Sequence, residues 1–127
     1  MHDTTTMPAA ERNAAAIRKF YARIDAGDIP GMCALLSPDA RYSRPGYPDM
    51  TNREDIGTFY REDRVIRDGC HTLTSVVATG TDVAVHGDFN GTLRDGTAAR
   101  HRFAEFFTVA TDGSLDSRRT FFYVPLI

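Results

Sequence analysis

The stretch TDVAVHGDFNGTLRDGTAARHRFAEFFTVATDGSLDSRRTFF, residues 81–122, alternates apolar and polar side chains and breaks only at turn residues. A period of two places successive side chains on opposite faces of a strand. Val83–Leu93, Ala98–Val109 and Leu115–Val124 therefore read as strands, and Thr72–Thr79 just upstream reads as a fourth. Gly80-Thr81-Asp82, Arg94-Asp95-Gly96 and Thr111-Asp112-Gly113 separate them, and an Asp-Gly pair between alternating segments is a strong hairpin signal. The second half of the chain is an antiparallel meander.

Upstream the period changes to that of a helix. Ala15, Ile17, Phe20, Tyr21 and Ile24 recur at helical spacing until Gly27. Ile29, Met32, Cys33, Leu35 and Leu36 form a second, shorter stripe that Ser37-Pro38-Asp39 stops. Ala40–Arg44 alternates as a short strand, and Asn52 can cap a third helix carrying Ile56, Phe59, Tyr60 and Val65, closed by Asp68-Gly69. Residues 1–8 are polar and without period, so a flexible tail is expected there and a single domain over 9–127. Three helices followed by a long meander predict an α+β layer arrangement, with the helices packed on a mostly antiparallel sheet that encloses a pocket.

Composition narrows the class. The chain has 127 residues, 42% hydrophobic and 25% charged, with a formal net charge of -2, so it offers no basic surface for nucleic acid. No apolar run is long enough for a membrane span and the first residues lack the apolar centre of a secretory signal, so a cytoplasmic protein with no membrane partner is expected. Cys33 and Cys70 form no paired motif, and no ligand pattern predicts a metal.

Two groups of polar residues stand out in the strands. Glu105 is flanked by Phe103, Phe106 and Phe107, where burial would raise its pKa for acid or base work; the bland reading is a pair with Arg102 or Arg118. His86 and Asp88 share one strand face, where a carboxylate can orient an imidazole. On alternation alone, Val83, Val85 and Phe89 point at the helices and leave His86, Asp88 and Asn90 in solvent. The charges of Glu54, Asp55, Arg61, Glu62, Asp63 and Arg64 read as a solvated helix face, and His71 as a structural residue at a helix-to-strand junction.

The segment AGDIPGMCALLSPDARYSRPG (26–46), with DVAVHGDFNGTLRDG (82–96) and RFAEFFTVATDGSLDSRRTFF (102–122), resembles the SnoaL-like and ketosteroid-isomerase branch of the nuclear-transport-factor-2-like superfamily, over about residues 11–123. The resemblance implies a cone-shaped fold, frequently a homodimer through the sheet, with a pocket used by isomerases, polyketide cyclases, epoxide hydrolases and binding proteins. On the ketosteroid-isomerase pattern the helix-one tyrosine falls at Phe20, with Tyr21 facing elsewhere, and the aspartate base falls at Arg44. The third-strand acid falls at Glu105 and the helix-three aromatic at Tyr60. On the epoxide-hydrolase pattern the paired residues fall at His86 and Asp88, and the last-strand aspartate falls at Thr120.

That register turns His86, Asp88 and Asn90 toward the pocket, or a bulge near Gly87 changes the phase of the strand. It favours Arg118 over Arg119 as the inward arginine of the last strand, and sets His101 at the rim. Tyr42 and Arg44 share a face near the pocket mouth, where Arg44 either holds an oxyanion, a role Tyr60 could share, or pairs with Glu105 or Asp88. The expected function is a cofactor-independent cyclase or isomerase acting on a small, natural-product-like substrate. Glu105, His86 and Asp88 transfer protons, and Phe20, Leu36, Phe59, Phe103 and Phe122 line the pocket. The alternatives are a noncatalytic binding protein with the same pocket and an enzyme similar to the epoxide hydrolases.

Overall fold

The computed structural model describes residues 7–124; residues 1–6 of the expected tail and 125–127 of the expected domain lie outside the described residues. Helix α1 spans Ala9–Asp25 and buries Ile17, Phe20, Tyr21 and Ile24 along one side. A single short turn, α2 (Ile29–Cys33), follows, with the Asp28 carboxylate accepting from the Gly31 amide at its start. The chain enters strand β1 at Leu36 rather than continuing the second helical stripe through it, so Leu36 buries its side chain from a strand. β1 ends at Ser43.

Helix α3 (Arg53–Thr58) is capped by Asn52, whose side chain accepts from the Asp55 amide at 2.8 Å. It widens into one π-helical turn, Phe59–Asp63, closed by the Arg64 amide on the Phe59 carbonyl. The expected continuation to Asp68-Gly69 does not occur. Strand β2 (Ile66–Thr79) begins at once and carries Asp68 and Gly69 within it. Gly69 serves close packing there rather than a turn: a β-carbon on it would lie 2.1 Å from the ring of Phe89.

β3 (Asp82–Leu93), β4 (Ala98–Val109) and β5 (Leu115–Phe122) follow the sequence reading closely. Both Asp-Gly turns place glycine at positive φ, 91° at Gly96 and 89° at Gly113, where any other residue would be strained. The sheet order is β1-β5-β4-β3-β2, antiparallel except for the parallel pair β1–β5. The helices cover one face, and the buried cluster runs from Ile17 and Phe20 through Tyr42 and Phe59 to Val83, Phe89 and Phe107.

The phase of β3 settles which of its residues look inward. Val83, Val85 and Phe89 are buried, while His86 and Asn90 are exposed on the opposite face and Asp88 is half-buried there beside Arg102, 3.6 Å away. No bulge interrupts β3. The irregularity sits on its neighbour, between Leu73 and Ser75 of β2, opposite Gly87 and His86. The inward placement of His86, Asp88 and Asn90 is therefore corrected: period-two alternation holds along the whole strand, and its apolar face faces the helices.

Gly87 sits against that bulge, and a β-carbon on it would meet the Thr72 carbonyl oxygen at 2.3 Å. Gly87→Ala is expected to destabilise the fold by about 1–3 kcal/mol through overpacking against backbone that has no room to move. A urea midpoint equal to that of the parent protein would refute this placement.

Candidate functional site

Inside the cone, β4 and β5 present Glu105, Arg118 and Thr120 side by side. Glu105, 1% exposed, receives Arg118 as a fork, Nε to Oε2 at 2.9 Å and Nη2 to Oε1 at 3.1 Å. The Tyr21 hydroxyl donates to Oε1 and the Thr120 hydroxyl to Oε2. Arg118 spends its remaining Nη1 on the Tyr60 oxygen at 2.6 Å, and its guanidinium lies 4.4 Å from the centre of the Tyr42 ring. Arg44 Nη1 donates to the Tyr42 oxygen at 2.9 Å, and that oxygen lies 3.2 Å from Thr120 Oγ1. A chain of donors thus runs from Arg44 through two hydroxyls to the carboxylate.

This network reverses the expected chemistry of Glu105. Burial pushes its carboxyl upward, but the Arg118 charge and the bonds from Thr120, Tyr21 and Arg118 outweigh it and hold the group below its ordinary value. Glu105 is an ionised, saturated partner of Arg118, the bland alternative of the sequence reading. For Tyr21 burial and the neighbouring carboxylate act together and raise the phenol well above its usual range. Burial also raises Tyr60, yet Arg118, Arg64 and Arg44 together bring it below its ordinary value.

The helix-one phenol comes from Tyr21, which bonds Glu105; Phe20, where the resemblance put that tyrosine, also meets the sheet but brings no hydroxyl. Phe20 packs beneath Arg118 at 5.2 Å, and with Leu36 it lines a separate void of ≈ 10 Å³ in the core. Phe59 is buried against Tyr42 and Tyr47. Arg118 is the inward arginine, as the resemblance favoured; it, and not Arg44, pairs with Glu105.

The chamber above the network has a volume of ≈ 10 Å³, room for about one water. Glu105, Arg118 and Thr120 border it, with Phe103, Phe122 and Phe89 as its apolar part and Arg44, Arg64, His71 and His101 as its remaining polar wall. His101 stacks on Phe89 at 5.1 Å and meets Phe122 at 4.8 Å, deeper than a rim position. Its Nδ1 is buried without a hydrogen-bond partner among the described residues. Burial, with the charges of Arg44, His71 and Arg64, lowers its pKa from 6.5 to about 4, so it is neutral at pH 7.

His71, read from the sequence as structural, stands in this wall and is met from behind by Asp25, which sequence reasoning passed over. His71 Nδ1 lies 2.5 Å from Asp25 Oδ1, and the His71 amide donates to Asp25 Oδ2 at 2.9 Å. The imidazole is enclosed by Tyr21, Phe89 and Phe103 at 4.9, 4.8 and 5.5 Å between ring centres. A carboxylate on Nδ1 selects the tautomer that leaves Nε2 as the basic nitrogen. The signal for Asp25 was its position four residues after Tyr21, an acid in line with the apolar stripe of α1. Arg64, read as part of a solvated face, is 8% exposed. The π turn and the extended backbone at Arg64 (ψ 128°) break the helical phase and tuck its guanidinium 4.7 Å from the centre of the Tyr60 ring.

A sheet closing over three helices, with polar side chains on its inner face, defines the nuclear-transport-factor-2-like class of α+β cones. Residues 17–117 match the SnoaL-like domain, and the chain belongs to that family. Among solved structures it is similar to a Kribbella flavida protein assigned as a ketosteroid isomerase, 27% identical over 96% of this chain and 85% of that one, TM-score 0.77. An LEH-like epoxide hydrolase from M. tuberculosis is 17% identical over 91% of this chain and 85% of that one, TM-score 0.79. A Xanthomonas campestris protein assigned as a polyketide cyclase is 18% identical over 87% and 90%, TM-score 0.73. The last two share the fold. No curated protein matches the sequence. Among the described residues no helix is long and apolar enough to cross a membrane, and no cluster of three or more His, Cys, Asp or Glu could hold a metal ion.

Removing either partner of the buried pair strands the other charge. Arg118→Met and Glu105→Gln are each expected to cost about 3–5 kcal/mol, with the double variant losing clearly less than the sum. Strict additivity in urea unfolding would dissolve the pair as a unit.

Acid acts on stability through His101. Its folded pKa lies below the unfolded value, so the unfolded chain binds the proton first, and stability falls as pH drops from 6.5 toward about 4. Glu105, held low as well, adds its own loss once pH falls through the ordinary carboxyl value of 4.5 and below. His101→Phe should flatten the upper part of this decline in urea midpoints taken across the range; an unchanged slope would mean another group is responsible.

Proposed function

We propose that the protein is a cofactor-independent isomerase or cyclase for a small, natural-product-like molecule, and that the His71–Asp25 pair carries its acid/base chemistry. The observation behind this reading is the 2.5 Å contact of His71 Nδ1 with a carboxylate at the wall of the chamber. An imidazole so oriented takes a proton through Nε2 and returns it, while Asp25 stabilises the imidazolium formed in between. Abstraction next to a carbonyl yields an enolate. Reprotonation at another carbon completes an isomerisation; attack of the enolate carbon on a second carbonyl closes a ring. Arg44, on the wall of the same chamber, supplies positive charge for the enolate oxygen.

Glu105 takes a supporting part in this scheme, holding Arg118, Tyr21 and Thr120 in place, and His86 and Asp88 take none in the proton transfer. A noncatalytic binding protein is the second reading, favoured by the saturation of both Glu105 oxygens, which removes the one carboxylate expected to act as a free acid. The epoxide-hydrolase scheme has the least support, since Asp88 lies outside the cone and threonine stands in the last-strand position. The proposal includes a homodimer through the outer face of the sheet, where Val77 is 62%, Phe106 51% and Phe121 49% exposed.

Proton abstraction is testable without knowing the substrate. In D2O the protein should accelerate deuterium exchange at the enolisable carbons of some members of a panel of cyclic ketones and 1,3-diketones, followed by proton NMR. His71→Ala should lose about a hundredfold or more of that acceleration, and Asp25→Asn a large part of it. Exchange identical in parent and His71→Ala across the panel, with ligand binding retained, would move the assignment to the binding protein.

A further inference from the structure

The chamber at His71 is too small for any organic molecule, so the body of a ligand must lie elsewhere. A cleft of ≈ 360 Å³ adjoins it, between the end of α1, the π-helical turn and the start of β2. Arg64 and Ile66 line both spaces, and Asp25 lines the outer one while its partner His71 lines the inner. The volume is within the range of small-molecule sites, roughly 300–1,000 Å³.

Four arginines border the cleft against two aspartates. Arg94 is occupied, donating to the carbonyls of Arg64 at 2.5 Å and Arg61 at 3.3 Å. Arg67 is paired with Asp68 at 3.1 Å, and Arg61 reaches Thr58 at 3.5 Å. Both oxygens of Asp25 are taken by His71. Arg64 differs from these: it is 8% exposed, and its Nε is buried with no hydrogen-bond partner among the described residues. A buried guanidinium with an unmet donor is destabilising unless a ligand completes it. The wall of the inner chamber carries a second unmet atom, His101 Nδ1. One acceptor group that is planar, charged and able to take two parallel donors suits Arg64 best, and that is a carboxylate.

We propose that Arg64 is the anchor of a carboxylate-bearing small molecule, which lies in the outer cleft with its acid group on Arg64 and its reactive end directed past Ile66 toward His71. The site deepens the proton-transfer reading by naming its substrate class, and it rests on that reading only for the direction in which the ligand points. Arg64 borders both spaces, so an acid group held on it lies between the cleft and the chamber wall that carries His71.

Sodium benzoate and benzamide, alike in shape and different in charge, are suitable probes. Benzoate added to 15N-labelled protein should shift the Arg64 Nε–H signal and raise the pKa of His101 above about 4, because it offsets the Arg64 charge that helps to depress that group. Arg64→Gln should weaken benzoate at least about tenfold, Arg64→Lys should recover part of the loss, and Arg67→Gln, on the same cleft, should leave affinity nearly unchanged. Benzamide should bind weakly or not at all. No saturable benzoate binding, equal binding of benzamide, or equal loss in Arg67→Gln overturns the proposal. Because binding is read without turnover, this outcome is independent of the deuterium exchange at His71.

Discussion

A guanidinium and a carboxylate enclosed together inside an apolar cone set the terms for everything around them. Taking either charge out of water alone would be prohibitive, and the pair is tolerable because both carboxylate oxygens and all three guanidinium nitrogens find partners. Glu105 accepts from Arg118 twice, from Tyr21 and from Thr120, while Arg118 Nη1 donates to Tyr60. These partners come from α1, from the π turn after α3 and from two strands of the sheet. The ion pair is thus the point at which helices and sheet are held in register, and it stiffens the floor of the chamber.

That arrangement also divides labour among the polar groups. A saturated carboxylate has no spare capacity for proton transfer, so the ability to exchange protons falls to groups on the chamber wall. His71 has a carboxylate on one nitrogen and aromatic rings around it. His101 has no carboxylate bonded to it, and burial, with the nearby arginines Arg44 and Arg64, keeps it neutral. Two histidines a few ångströms of aromatic ring apart are thereby given different characters, one oriented by charge and the other discharged by burial.

Much of the fold was legible in the sequence. The strands β3 and β4 and their Asp-Gly turns lie where period-two alternation and turn chemistry put them, because both are properties of neighbours in the chain. The inward face of β3 followed the same local rule, and the register borrowed from relatives, which turned His86 and Asp88 inward, gave way to it. Helical stripes were less faithful at their ends. Leu36 fitted a helical stripe and Gly69 a helix stop, yet both joined strands, where sheet pairing and the ring of Phe89 outweighed local preference. A single π turn was enough to carry Arg64 from a solvated face to the interior.

The candidate site was legible only in its ingredients. Sequence alone determined that aromatic residues, arginines, histidines and one isolated acid would be distributed along a meander behind three helices, since composition and periodicity are local. Tertiary structure alone decided which charges meet. Asp25 and His71 are 46 residues apart, Tyr21 and Glu105 are 84 apart, and Glu105 had Arg44, Arg102 and Arg118 as candidate partners. Coulomb attraction and hydrogen bonding act over a few ångströms, so these choices were made where the sheet closes over α1 and not along the chain.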